Sequence, residues 1–294
     1  MSRVTVLRFI RPQLATSVDQ PPEDENWIHE IKHDGYRAQV LLEDGRARVL
    51  TRTGLDWSEH FPSIVHAAVN LDCQSAIIDG EAIIQDENGV SDFEALGTAL
   101  SRCPHAIMLY AFDLMHLNGR DLRQQPLSER RWLLQGLVGK DDESRIQFSE
   151  EFHGDGAAFF EACAERKLEG IVSKLATSRY VSWRTKTWLK TKCFTESSFV
   201  VIGTDRDRKT GAMRALLAHP NGEHLDYAGA AFIALRDDAR EEFLSEVERL
   251  ATTNAGFGFT RLYGVRWCKP ELTVRVKHLA ASKGLRHAVV KTLL

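Results

Sequence analysis

The 294-residue sequence has no apolar run approaching the roughly 18 to 20 residues that a membrane-spanning helix needs. Its beginning, MSRVTVLRFIRPQLAT, lacks the uninterrupted apolar stretch of a secretory signal. The five cysteines are odd in number and widely dispersed, so local pairs can build neither a disulfide framework nor a CxxC zinc site. These absences argue against membrane and exported proteins and favour a reducing cytosol.

The sequence also has little net charge, since 38 Lys and Arg against 41 Asp and Glu leave −3 at pH 7. The charge is unevenly spread. Residues 195–294 have 15 basic against 12 acidic side chains, whereas residues 1–194 have 23 against 29. This disfavours a protein held to nucleic acid by bulk charge, so any nucleic-acid binding has to use local basic surfaces.

Strand and helix patterns alternate through the first part of the chain. Residues 37–52 predict a hairpin about Asp44-Gly45, because Asp-Gly between β-prone runs is a strong turn signal. Residues 75–89 have a similar pattern, which predicts two strands with Ile pairs on either side of Asp79-Gly80-Glu81 and a turn at Asn88-Gly89. Further patterns predict a strand over 106–117 and amphipathic helices over 127–138 and 156–167. Together they indicate an α+β domain with a mainly antiparallel sheet.

The pattern of predicted strands and helices changes near residue 195, where we place a domain boundary between residues 1–194 and 195–294. The second part is predicted to contain short strands within 197–219, 226–232 and 266–280, and one polar helix over 237–253. Short strands with one inserted helix are compatible with a small β-barrel such as an OB-fold, although the pattern alone does not fix that topology.

The segment from Glu30 to Arg37 carries the strongest chemical signal, because Lys32 follows an apolar run and is succeeded by Asp34, Gly35 and Arg37. A lysine amine attacks phosphorus only when neutral, and the ordinary pKa of about 10.4 leaves roughly one lysine in a thousand neutral near pH 7.5. Such a nucleophile therefore needs surroundings that favour the neutral amine. Taken alone, the segment is equally compatible with a solvated hairpin.

Five further segments follow in order: Thr51-Arg52-Thr53-Gly54, then Asp79-Gly80-Glu81, then Tyr110 to Leu114, then Leu168 to Lys174, and last Trp188 to Lys192. The ordered set resembles the collinear motifs of the covalent nucleotidyltransferases, which comprise polynucleotide ligases and messenger-RNA capping enzymes. It is most similar to the ligase domain of the bacterial end-joining DNA ligases called ligase D. The match includes Phe9 to Ala15, Gly54 to Trp57, Phe112 to Arg131 and Lys269 to Leu272.

The resemblance implies a nucleotidyltransferase domain followed by an OB-fold domain, and an ATP-dependent DNA ligase as the function. Lys32 would attack the α-phosphorus of ATP and retain AMP. Arg37 and Arg52 would contact the ribose or the nick phosphate, since guanidinium groups are planar and always charged. Asp34 would assist nick sealing, with an Asp-Gly turn as the structural alternative.

The remaining site residues are carried over in the same way. Glu81 would accept the ribose hydroxyl, and Glu169, with Glu81, would hold Mg²⁺ or Mn²⁺. Phe112 would stack on adenine, with Tyr110 as its rival. The backbone of Glu30 and Ile31 would read the adenine edge. Lys190 and Lys192 alternate with Thr191, so both would face one side of a strand and meet the α-phosphate.

A basic cluster in the second part comprises Arg206, Arg208, Lys209 and Arg214. It could follow a phosphate backbone and make binding salt-dependent, or it could be a solvated loop. The partners implied by the resemblance are nicked or broken duplex DNA, a Ku-type end-binding protein and a repair polymerase. We expect a monomer in the bacterial cytosol.

The end of the sequence departs from the ligase pattern. Relatives finish with an arginine followed by Asp-Lys, which orients the pyrophosphate, whereas here Gly284-Leu285-Arg286-His287 leads to AVVKTLL. We therefore expect self-adenylylation to be affected more than the sealing of an adenylylated nick. Two alternatives stay open: an RNA ligase or capping-type enzyme, and a non-catalytic module that binds DNA ends.

Overall fold

The structure, a computed structural model, describes residues 7–139, 141, 143–222, 224–253, 264–280 and 284–294. The chain divides into two compact units, Met1–Cys193 and Phe194–Leu294. No helix in the described ranges is both long enough and apolar enough to cross a membrane.

Within its described residues, the first unit contains two sheets and four α-helices. Its strands are β1 Leu14–Ser17, β2 Trp27–Ile31, β3 Tyr36–Glu43, β4 Arg46–Thr51, β5 Ser75–Ile83, β6 Met108–Leu117, β7 Arg120–Asp121, β8 Ile146–Phe148, β9 Glu151–Phe152, β10 Gly170–Leu175 and β11 Arg184–Lys192. Its helices are α1 Pro62–Val69, α2 Phe93–Arg102, α3 Leu127–Val138 and α4 Gly156–Glu165.

The first sheet has the strand order β1-β11-β10-β2-β9, and the second has the order β4-β3-β5-β6-β7, with β8 beside β6. Pairing is mainly antiparallel, as the sequence predicted, and only β1–β11 and β6–β8 are parallel among the pairs described in this unit. The predicted hairpin is confirmed: Glu43 pairs with Arg46 across Asp44 and Gly45, both of which have positive φ.

Both faces of the second sheet are buried, because successive residues of a strand point to opposite sides. Val40 and Leu42 of β3 pack in a cluster with α1 and α3, whereas Leu41 packs with Ile28 and Trp188 of the first sheet. The two sheets therefore face each other across an apolar layer, and the ends of their strands surround the site described below.

Asp79-Gly80-Glu81 lies inside the single strand β5, so the prediction that it separates two strands is wrong. Asp79 is fully buried and its carboxylate is bound by Arg37 and Tyr180, which leaves it unavailable to a turn. A Cβ atom on Gly80 would lie 2.8 Å from the Tyr110 carbonyl oxygen, so glycine here permits close packing of β5 on β6. The turn at Asn88-Gly89 is present, since Gly89 N–H donates to Asp86 O at 3.0 Å.

The described residues of the second unit form a closed five-stranded sheet with one helix. Its elements are β12 Phe194–Arg206, β13 Met213–Asn221, β14 His224–Ile233, α5 Asp237–Arg249, β15 Arg266–Leu279 and β16 Val289–Leu293. The strands pair in the order β12-β13-β14-β16-β15, and β15 pairs back with β12. Phe243 and Val247 of α5 pack into its core with Phe199 and Val274. The strands predicted within 197–219, 226–232 and 266–280 and the predicted helix are all present, whereas β16 was not anticipated.

Candidate active site

A cavity of about 590 Å³, here called the Lys32 cavity, is lined by strands of both sheets of the first unit. Eight residues singled out from the sequence line it: Glu30, Ile31, Lys32, Arg37, Arg52, Glu81, Phe112 and Lys190. Glu169 and Lys192 lie next to this lining, because Glu169 forms ion pairs with both Lys32 and Lys192. The structure thus gathers, into one place, residues that lie up to 162 positions apart in the sequence.

Lys32 stands directly after β2, and its backbone N–H donates to Gly170 O at 2.9 Å. Three residues later the chain turns tightly against β5. A Cβ atom on Gly35 would lie only 2.2 Å from the Ala82 carbonyl oxygen, so no other residue fits without displacing the backbone. Asp34 lies in this turn, where its N–H donates to Ser91 Oγ at 3.0 Å, and it does not line the cavity.

Glu169 binds two lysines at once. Its Oε2 accepts from Lys32 Nζ, and its Oε1 lies 3.0 Å from Lys192 Nζ. Burial alone would raise the pKa of Glu169, but the charges of Lys32 and Lys192 lower it below its ordinary value. The carboxylate therefore stays ionised and holds both ammonium groups at one wall of the cavity.

The position of Glu169 depends on the glycine after it. Gly170 begins β10 with φ +146°, a conformation that L side chains rarely adopt, and pairs with Lys192 across the ladder. A Cβ atom there would lie 2.1 Å from Thr191 O. Two residues along β11, Lys190 also lines the cavity, and burial together with nearby Lys192 and Lys32 lowers its pKa.

Arg37 and Glu81 are opposite each other on β3 and β5. The Arg37 guanidinium binds Asp79 in a bidentate pair, with Nε–Oδ1 and Nη2–Oδ2 distances of 2.7 Å. It also lies 4.6 Å from the centroid of the Phe112 ring. Much of the donor capacity of Arg37 is thus used inside the protein, whereas Arg52 is exposed at the cavity wall.

Burial raises the pKa of Glu81 to about 7, although the nearby charges of Lys32 and Arg37 oppose the shift and those of Glu169 and Asp34 add to it. A cation near these acids would favour the ionised form. No group of three or more His, Cys, Asp or Glu side chains that could hold a metal occurs among the described residues. Glu81 and Glu169 still suit Mg²⁺, which is commonly held by one or two carboxylates together with substrate phosphates.

Two aromatic residues of β6 have different surroundings. Phe112 lines the cavity, with Lys174 Nζ 4.3 Å from its ring centroid. Tyr110 instead stacks on His33, with ring centroids 4.2 Å apart, and its hydroxyl accepts from Gln85. Burial, with the charge of Lys32, lowers the pKa of His33 to about 4, so this ring is neutral at physiological pH.

Lys174 was overlooked in the sequence, although it ends a segment quoted for its resemblance. Its Nζ lies 2.6 Å from Glu30 Oε1, and Glu30 also binds Arg131 at 2.9 Å and Ser149 at 2.9 Å. Burial lowers the pKa of Lys174 to about 8. The alternation of side chains along a strand could have indicated Lys174, since Val172 and Lys174 occupy alternate positions of β10 and both line the cavity.

The backbone of Glu30 and Ile31 lies in a central strand. Glu30 pairs with Val172 of β10 on one side and with Glu151 of β9 on the other. Its carboxylate is 2 to 3% exposed and is bound by Arg131 and Lys174 at Oε1 and by the Ser149 hydroxyl at Oε2. This ion network fixes the wall of the cavity beneath Phe112.

The four residues of the predicted basic cluster, all in the second unit, lie around one groove of about 1200 Å³. Arg206, Arg208 and Lys209 are exposed. Arg214 is bound to Asp205, with an Nε–Oδ1 distance of 2.9 Å, and lies 3.4 Å from Asp207. The groove is thus basic at its rim and partly neutralised where Arg214 lies.

Comparison with known proteins agrees with this arrangement. The family model described as "ATP dependent DNA ligase domain" matches residues 12–192. The chain is 33% identical over 293 residues to the multifunctional non-homologous end joining protein LigD of Pseudomonas aeruginosa, across 96% of this chain and 35% of that protein. It is 30% identical over 218 residues to the SPbeta prophage-derived DNA ligase-like protein LigB of Bacillus subtilis, across 73% and 77%.

Among solved structures, the mycobacterial DNA ligase D complexed with ATP and MES has a TM-score of 0.60 and 25% identity, over 97% of this chain and 95% of that one. This chain spans about a third of the length of the LigD proteins that it matches. The first unit has the mixed, sheet-rich nucleotidyltransferase fold of these ligase domains. The chain belongs to the ATP-dependent DNA ligase domain family.

Proposed function

We propose that this chain seals nicks in duplex DNA through a covalent Lys32–AMP intermediate formed from ATP. The observation that carries the proposal is that the Glu169 carboxylate bridges Lys32 and Lys192, and that Lys32 and Lys190 line the same cavity of nucleotide size.

The reaction has three displacements at phosphorus. First, the Lys32 amine, after giving its ammonium proton to water, bonds through Nζ to the α-phosphorus of ATP and pyrophosphate leaves. Next, an oxygen of the DNA 5′-phosphate bonds to the same phosphorus and Lys32 is released. Last, the 3′-hydroxyl oxygen bonds to the 5′-phosphorus and AMP leaves. Such steps depend on positioning and charge neutralisation more than on covalent help from other side chains.

The cavity residues have matching roles. Lys190 and Lys192 neutralise the α-phosphate, and Glu169 orients Lys32. Phe112 supplies an aromatic surface for adenine, and the carbonyl groups at the end of β2, at Glu30 and Ile31, have lone pairs for the adenine amino group. Glu81 accepts the ribose hydroxyl. Arg52, exposed at the wall, meets the ribose or the nick phosphate together with Arg37, and Asp34 assists sealing.

A divalent ion, Mg²⁺ or Mn²⁺, would be held by Glu81 and Glu169 together with the phosphates of ATP, and would offset the charge that develops on them. The donor set fits, because both groups are carboxylates, and carboxylate oxygens are the ligands that Mg²⁺ prefers in proteins.

For the second unit we propose an OB-fold that contacts the DNA backbone. The closed sheet of five strands with one helix is the basis for the fold, and Arg206, Arg208, Lys209 and Arg214 are the basis for the contact. DNA binding should then weaken with salt in proportion to the phosphates bound.

The names of the LigD relatives place them in non-homologous end joining. By extension we propose that this chain acts on broken duplex DNA in the bacterial cytosol, as a monomer, beside a Ku-type end-binding protein and a repair polymerase.

The test is the intact mass of the full chain after incubation with ATP and Mg²⁺ or Mn²⁺, followed by sealing of a nicked duplex. We expect a gain of one AMP that pyrophosphate reverses and that Lys32→Ala abolishes. Lys167→Gln, which removes an exposed lysine on a different loop, should react like the wild type. A mass gain with GTP alone, or joining of RNA alone, would contradict the proposal, as would the absence of any gain.

A further inference from the structure

Two segments that pair as parallel strands contain no acidic residue. Residues 7–18 and 176–192 together contain seven Lys and Arg and no Asp or Glu. They meet at β1 and β11, where Leu14 pairs with Arg184 and Ser17 pairs with Lys190. In a unit with an excess of acids, this juxtaposition is a local concentration of positive charge.

Five of these cations are exposed: Arg8, Arg11, Arg179, Arg184 and Lys186. None of them forms an ion pair with another residue in the part of the chain that the structure describes. Arg184 lines the cavity itself, and its Nη1 donates to Ala15 O. The charged surface therefore continues from the cavity wall outward.

Trp183 stands among these cations with 65% of its surface exposed. Its backbone is held on both sides, because its N–H donates to Val181 O at 2.9 Å and its carbonyl accepts from Leu14 N at 3.0 Å. The indole is thus presented to solvent from a fixed backbone position. An exposed aromatic ring flanked by unpaired cations is the pattern with which proteins stack on bases while binding the adjoining phosphates.

We propose that this surface, formed by Arg11, Arg179, Trp183, Arg184 and Lys186, binds a broken duplex end, with Trp183 stacked on the terminal base. Bases inside a continuous duplex have no free face, so a ring used for stacking requires an end. The proposal deepens the proposed ligase function and rests on it, because it assigns the DNA substrate of the same cavity to a surface of the first unit.

Trp132 provides a matched control. It is 73% exposed, belongs to the same unit and lies on α3, where Glu129 is one helical turn away. An exposed tryptophan without the surrounding cations should not contribute to DNA binding.

The experiment measures binding of the full-length chain and its variants to two labelled DNA probes over a range of salt concentrations. One probe is a hairpin duplex with a single blunt end, and the other is a closed dumbbell duplex of the same sequence with no end. We expect Trp183→Ala to weaken binding to the hairpin by about 5- to 100-fold, since base stacking contributes about 1–3 kcal/mol per base. Binding to the dumbbell, and the salt dependence, should not change.

The double variant Arg179→Ala/Lys186→Ala should weaken binding to both probes and reduce the slope of log K against log salt by about 2, the change for two phosphates. Trp183→Phe should restore most hairpin binding, and Trp132→Ala should match the wild type. Equal hairpin affinities for Trp183→Ala and Trp132→Ala would overturn the proposal, and so would an equal loss on both probes. If the surface instead binds a protein partner, Trp183→Ala and Trp132→Ala should have equal affinities for the hairpin.

Formation of Lys32–AMP without DNA is measured in parallel and should be the same in all of these variants. It separates the two proposals. If the wild type forms no Lys32–AMP, the ligase chemistry is refuted. The affinities for the hairpin and the dumbbell would still show whether this surface binds a duplex end.

Discussion

The ammonium group of Lys32 forms an ion pair with the carboxylate of Glu169, of which only 3% is exposed. The pairing connects a residue after β2 to the residue before β10, 137 positions later. Because Glu169 also binds Lys192, one buried carboxylate orients both the proposed nucleophile and a proposed phosphate ligand.

Glu169→Gln should therefore slow Lys32–AMP formation by about 100-fold or more, since misplacing a reacting group by about 1 Å costs that much. The amide keeps the shape of the side chain but cannot balance two ammonium charges. Single-turnover kinetics with labelled ATP measure the rate, and circular dichroism checks the fold. A Glu169→Gln rate within threefold of the wild type would show that the ion pair is not needed.

The raised pKa of Glu81, about 7, predicts a pH dependence. A carboxyl with a raised pKa is protonated below that value and ionised above it, so the acceptor for the ribose hydroxyl appears as the pH rises through 7. Lys32 also has to lose a proton, and the ratio of wild-type to Glu81→Gln rates separates the two effects. That ratio should rise by about tenfold per pH unit below 7 and level off above it.

The same shift affects stability. The unfolded chain releases the Glu81 proton near the ordinary value of 4.5, whereas the folded chain holds it to about 7. The free energy of unfolding should therefore fall as the pH rises between these values. Denaturant titrations at several pH values should show a smaller fall in Glu81→Gln. Parallel curves for the two proteins would contradict the raised pKa.

Local signals in the sequence predicted much of this fold and site. The Asp44-Gly45 hairpin, α3 and α5 follow from spacing alone, and the ordered motifs pointed to Lys32 and Glu169. Asp79-Gly80 was misread because the same dipeptide serves a turn or a close strand contact, and the buried partners Arg37 and Tyr180 decide which. The pairing of Glu169 with two lysines joins three distant segments, so no local pattern contains it.

The weakest predictions concerned short elements and buried charge. β7 and β9 have two residues each, too few for a period to be visible. Lys174 was passed over because a lysine is rarely buried unless it is paired, and its partner Glu30 lies 144 positions away. The exposure of Trp183 is a property of the folded chain, because a tryptophan in a sequence is as compatible with a buried position as with an exposed one.

Phe112→Ala should raise the KM for ATP in Lys32–AMP formation by about fivefold or more, because loss of base stacking costs about 1–3 kcal/mol. Phe112 lines the cavity, whereas Tyr110 stacks on His33. Tyr110→Ala is therefore the comparison, and we expect it to raise this KM less than Phe112→Ala does. The reverse order would make Tyr110 the adenine platform.

Asp113 and Arg130 form a fully buried ion pair behind the site, with Nε–Oδ1 and Nη2–Oδ2 distances of 2.7 and 2.8 Å. Removing one partner leaves an uncompensated charge in the core, so Asp113→Ala should lower the free energy of unfolding by about 3–5 kcal/mol. The exposed pair of Asp121 and Arg123 is the control, and Asp121→Ala should cost below about 1 kcal/mol.

The free energy of unfolding of the variants of both pairs is measured by denaturant titration, with tryptophan fluorescence as the signal. The double variant Asp113→Ala/Arg130→Met tests the cause, because it removes the unpaired charge together with the pair. Its loss of stability should be smaller than the sum of the two single losses, since each single variant includes the cost of the charge left behind. Additive losses would mean that packing around Arg130, which also donates to Gln125 O and Ser178 O, stabilises this region more than the ion pair does.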